Sequence, residues 1–167
     1  MKKYKEGQMK ISFGMIFSII LIVFFIAFAF YAIGKFLDIQ HSVQTAKFLD
    51  DFQKDVDKLW QGSQGNQEVS YSLPAKIKAV CFTDYSVNPR GENIDLYEEM
   101  KMAFYDSENL FFYPSISGAG LDANTIEHID IAETTKDNNP LCIQTEDGRV
   151  KMSIKKDFGQ LKVTIIK

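Results

Sequence analysis

The side chains that could do chemistry are few and scattered. Cys81 and Cys142 are the only cysteines. An even pair in an oxidising compartment can close one disulfide, here around a loop of roughly 60 residues. The alternative is two buried strand residues that never meet, because free cysteine packs as a small hydrophobe. Proximity cannot be read from sequence, so both readings stand, with the bridge taken as the working expectation. His41 and His128 each lack a second His or Cys at ligand spacing, and no Cys-x-x-Cys or His-Glu-x-x-His occurs. A metal site is therefore not expected. Asp137-Asn138-Asn139 lacks the glycine and distal glutamate of a calcium loop and reads as a turn. Gly118-Ala119-Gly120 lacks the third glycine and following helix that would cradle a phosphate. Ser115 and Ser117 sit outside any Gly-x-Ser-x-Gly elbow, and Asp106-Ser107-Glu108 reads as a helix end. No catalytic residue, cofactor site or small-molecule substrate is expected, and the chain is read as a non-enzyme.

The elements that would position these residues are organised around one stretch. Ile11 to Ile33 carries no charge between Lys10 and Lys35 and shows only Ser12, Ser18 and Tyr31 as polar side chains. Roughly 23 helical residues span about 35 Å, enough to cross a hydrocarbon core with some tilt. A helix in lipid satisfies its own backbone hydrogen bonds, so Gly14 and the β-branched residues are tolerated there. The reading is a transmembrane helix over 11–34 with the lipid bilayer as its partner.

Charge orients the helix. Lys2, Lys3, Lys5 and Lys10 precede it, whereas Lys35 is followed by Asp38. The positive-inside rule then keeps residues 1–10 as a short basic cytoplasmic leader and places the rest outside. Beyond Lys10 the chain has 15 basic against 21 acidic residues. An acidic domain is a poor partner for a phosphate backbone, so nucleic acid is not expected.

The leader is read in three ways. One is an uncleaved signal anchor. Another is a cleaved secretory signal at Ala27-Phe28-Ala29, although the apolar run continues past that point. The third rests on Glu6-Gly7-Gln8 followed by the long apolar helix. That arrangement resembles the class III signal peptide of archaeal type IV pilin-like proteins. The resemblance covers the leader and helix, and departs at Glu6, usually lysine, and at Ser12, often acidic in that family. It implies processing between Gly7 and Gln8, with the apolar helix kept in the mature chain. It also implies a structural subunit of a surface filament, self-associating through the Ile11–Ile33 helix.

Past Ile33 the pattern becomes amphipathic. Phe36, Ile39, Val43, Ala46, Leu49, Phe52, Val56 and Leu59 recur at spacings of three and four between charged residues. A second helix segment is predicted over 35–61, continuing from the membrane. Its stripe fits either a coiled-coil seam or packing on the domain that follows, and the second is preferred because a small domain needs a partner surface. Gln61 to Gln67 reads as a linker.

Within the domain, 62–167, strands are predicted at 69–73, 77–83 and 110–113, with a short helix after Asn93. Ser115 to Asn124 reads as an exposed loop and Glu127 to Ala132 as a weak strand. Leu141–Thr145, Val150–Ile154 and Leu161–Ile165 read as a three-stranded antiparallel meander, with Asp147-Gly148 as a hairpin turn. Lys151, Lys155, Lys156, Lys162 and Lys167 fall on its outer face, more simply as protection of exposed strands than as a basic patch. Tyr105, Phe111, Phe112 and Tyr113 are read as core.

The fold class is α+β: a long N-terminal helix, transmembrane in one half and amphipathic in the other, packed on a small antiparallel sheet, pilin-like. The function read from this is a single-pass pilin-like structural subunit. The alternative is a membrane-tethered extracytoplasmic binding or accessory module that does not polymerise.

Overall fold

No proline interrupts the chain before Pro74, and a single helix, α1, runs Phe13–Gln61. Gly34, the weak point at about 1 kcal/mol relative to Ala, lies within it. The computed structural model describes residues 13–103 and 107–167. The chain divides into two compact units, one ending at Asp38 and the other spanning Ile39–Lys167. Tyr105 and Asp106 lie outside the described residues, as do Gly7 and Gln8.

In the second unit α1 is followed by β1 (Gly65–Ser72), β2 (Ala79–Phe82), α2 (Ile94–Ala103), β3 (Leu110–Tyr113) and β4 (Ala123–Asn124). Then come α3 (Ile131–Thr134), β5 (Leu141–Glu146), β6 (Arg149–Lys156) and β7 (Thr164–Ile166). The seven strands form one antiparallel sheet in the order β1-β6-β5-β2-β3-β4, with β7 pairing β6. The α+β class is as read from the sequence.

The sheet has two covered faces. Val80 and Phe82 join Phe48, Phe52 and Val56 of α1 in the main core. Ala79 and Cys81 alternate to the other side, packing with Phe111, Cys142 and Met100 of α2. Burial on both faces explains why β2 reads as a continuous apolar run.

Several sequence expectations change. The meander is replaced by a branched arrangement, because β6 pairs along its whole length with β1. Its other edge is shared end to end, β5 at Arg149–Val150 and β7 at Ser153–Lys155. The linker is shorter than read, since β1 begins at Gly65. Leu161 is 84% exposed. A turn closed by Gln160 N–H donating to the Asp157 carbonyl swings it out, so pairing starts only at Thr164. The weak strand at 127–132 is instead a single bridge, Ile129 to Val163, followed by α3, whose first turn is capped by Asp130. Ser117 and Gly118 are buried, so the 115–124 loop is not wholly exposed.

The Asp147-Gly148 turn does close the β5–β6 hairpin, with both residues at positive φ as a two-residue primed turn requires.

Candidate functional site

Residues 13–34, the apolar part of α1 in the first unit, have no polar face. Phe13, Ile20, Phe24, Phe28 and Tyr31 are all exposed, and the most apolar stretch has no buried residue. The Ser18 hydroxyl donates to the Gly14 carbonyl at 2.8 Å, so it is satisfied inside the helix. Among the described residues this is the one helix long and apolar enough to cross a membrane. A surface apolar on every side is stable only in lipid or against other apolar surfaces.

Beyond Asp38 the same helix changes role. Thr45, Phe48, Phe52 and Val56 are buried, with Leu49 and Leu59 partly so. The sequence stripe holds from Leu49 onward and fails before it. Phe36, Ile39 and Val43 are each more than 60% exposed. Thr45 enters the core because its hydroxyl donates to the His41 carbonyl at 3.0 Å, leaving nothing unsatisfied.

Two contacts fix the end of α1, and neither is visible in the hydrophobic pattern. Lys156 is buried, not on the outer face, and its ammonium donates to the carbonyls of Trp60 and Gly62. A cation there satisfies the orphan carbonyls of a helix C-terminus and opposes its dipole. Its position follows from alternation, since Val150, Met152, Ile154 and Lys156 all point inward. The second contact is a grip on the loop before α3. Gln53 Oε1 accepts the Glu127 N–H at 2.9 Å, and the Gln53 amide also donates to Asp57. Asp57 Oδ1 meets His128 Nδ1 at 2.9 Å. His128 is thus a packing residue at positive φ, whereas His41 lies in α1.

Cys81 and Cys142 are direct cross-strand partners on β2 and β5, joined in a disulfide with S–S 2.06 Å. Both are buried beneath α2. By the chain-entropy estimate a bridge closing a loop of this size contributes roughly 4 kcal/mol.

The residues weighed for chemistry have structural roles. Asn139 is fully buried and ties the 84–90 loop, its amide accepting from the Asp84 N–H and donating to the Asp84 carbonyl. Ser115 donates to Glu99 of α2, and the Gly118 N–H donates to Asp122 within a tight turn. Among the described residues no three His, Cys, Asp or Glu side chains gather as a metal site. The surface depressions are open grooves, such as one edged by Gln144, Glu146, Arg149 and Lys151.

No family model, no curated protein and no solved structure matches this chain. What can be stated of its class is an α+β protein whose long apolar N-terminal helix suits a single-pass anchor.

Proposed function

We propose that this chain is a non-enzymatic, membrane-anchored structural subunit of pilin-like design. Its N-terminus is cytoplasmic and its domain extracytoplasmic. The carrying observation is the division of labour along α1: apolar on all sides over residues 13–34, then one core-forming face at Thr45, Phe48, Phe52 and Val56. The exposed apolar part holds the protein in lipid and offers a surface for identical helices. The later part gives the sheet its core, so anchor and domain share one continuous element. The disulfide is in keeping with an oxidising, extracytoplasmic setting.

The mass of the mature protein purified from its native membrane tests this reading. Pilin-type processing predicts a chain that begins at Gln8. A chain beginning at Met1 supports the tethered, non-polymerising module instead. One beginning after Ala29 removes the anchor from the mature protein and contradicts both.

A further inference from the structure

We propose that the outer edge of β1 is a homodimer interface, pairing antiparallel with β1 of a second copy of this chain. The sheet treats its free edges unequally. β4 has two residues and β7 three, lengths that blunt an edge against further pairing. β1 has eight, in unbroken register with β6 and with no bulge. It contains no proline or lysine, and Glu68 is its one charge.

The direction of its backbone groups is fixed by one hydrogen bond. The Leu73 N–H donates to the Gly148 carbonyl at 2.8 Å, across the β6 side of the strand. Alternation then turns the odd residues of β1 towards β6 and the N–H and C=O groups of Asn66, Glu68, Ser70 and Ser72 outward. Among the described residues no hydrogen bond from another element reaches those outward groups. Their side chains are exposed, and Gln44, Lys47 and Asp51 of α1 leave an open groove beside Ser70 and Ser72.

Self-pairing must face even residues with even residues, which leaves few symmetric registers. Centring on Glu68 opposes two carboxylates. Centring on Ser70 places Asn66 opposite Pro74, which has no N–H to give. Centring on Val69 sets Glu68 opposite Ser70 and Asn66 opposite Ser72, twice each by symmetry. Every outward group then has a partner, and no like charges meet. This register makes the edge complementary to itself, as an isologous interface requires.

The geometry sets this contact apart from a parallel filament. Residues 39–61 of α1 run along β1 in the opposite sense, with Leu59 beside Gly65 and Asp55 bonded to Tyr71. The two-fold axis reverses β1 and residues 39–61 of α1 together, so the paired sheets are antiparallel. The contact does not depend on the filament reading.

The test uses the full chain in detergent, with mass measured by light scattering during size exclusion. Wild type and Ser70→Thr are expected as dimers. Ser70→Pro, which removes an outward N–H and leaves the β6 ladder intact, is expected as a monomer. Association through the apolar helix is separated by cross-linking. Glu68→Cys copies mixed with Ser70→Cys copies under oxidised glutathione should give a bridged pair several-fold faster than either variant alone. That arm decides the matter if Ser70→Pro does not fold or stays associated through the apolar helix. A monomeric wild type, or a mixture that bridges no faster than its components, would overturn the interface.

Discussion

The indole of Trp60 lies flat on the imidazole of His128, ring centroids 3.7 Å apart and planes 9° from parallel. Gln53, Asp57 and Trp60 stand four and three residues apart, on one face of α1. They hold Glu127 and His128 by side-chain amide, carboxylate and ring respectively. The His128 carbonyl also accepts the Val163 N–H at 2.9 Å, so the grip extends to the chain entering β7.

Trp60 is the only tryptophan, so its emission reports this contact without labelling. His128→Ala removes the stacked ring and the Asp57 contact while keeping a Cβ at the same backbone position. We expect a red shift of the emission and a loss of about 1–2 kcal/mol in denaturant unfolding. An unchanged emission maximum would show that the stack does not persist in solution.

The two halves of the amphipathic stripe should respond differently to truncation. Phe52 is fully buried between Phe48, Tyr71 and Phe82, so Phe52→Ala should cost about 3–5 kcal/mol. Val43 is exposed, and Val43→Ala should stay within about 0.5 kcal/mol. Thermal melts of the two variants compare them directly. Similar shifts would mean that the domain covers more of α1 than it does here.

Stability should fall on the alkaline side through Tyr71. Burial, and then its hydrogen bond to Asp55 Oδ2 at 2.6 Å, push this phenol well above its ordinary range. A phenol whose pKa is higher folded than unfolded contributes stability that is complete below the unfolded value, about 10. That contribution is lost as pH rises above it, because the unfolded chain releases its proton first. Tyr71→Phe should be less stable than wild type by about 1 kcal/mol at neutral pH, and the two should converge above about pH 10. Urea midpoints that stay parallel from pH 8 to 11 would contradict this.

What the sequence revealed depended on how local each feature was. The apolar run, described from Phe13 to Ile33, the Asp147-Gly148 hairpin and the 3–4 spacing of Leu49, Phe52 and Val56 are set by neighbouring residues, and each is found in place. The stripe failed at Phe36, Ile39 and Val43 because periodicity shows which residues share a face, not where the covering sheet begins. The meander failed because β6 recruits β1, roughly 80 positions earlier, and no local pattern announces a pairing at that distance. Lys156 and His128 were missed for another reason. Each completes a helix end or loop whose unsatisfied groups appear only after the chain has closed.

The central claim is that α1 spans a membrane through its apolar half, and partition after an alkaline wash tests it most directly. Wild-type chain should remain in the membrane pellet. Ile20, exposed near the middle of that half, is the position to charge. Ile20→Asp carries an insertion cost of roughly 2.5–3.5 kcal/mol, and should move a large share of the chain to the supernatant. Wild type in the supernatant, or both forms equally retained, would contradict a spanning helix.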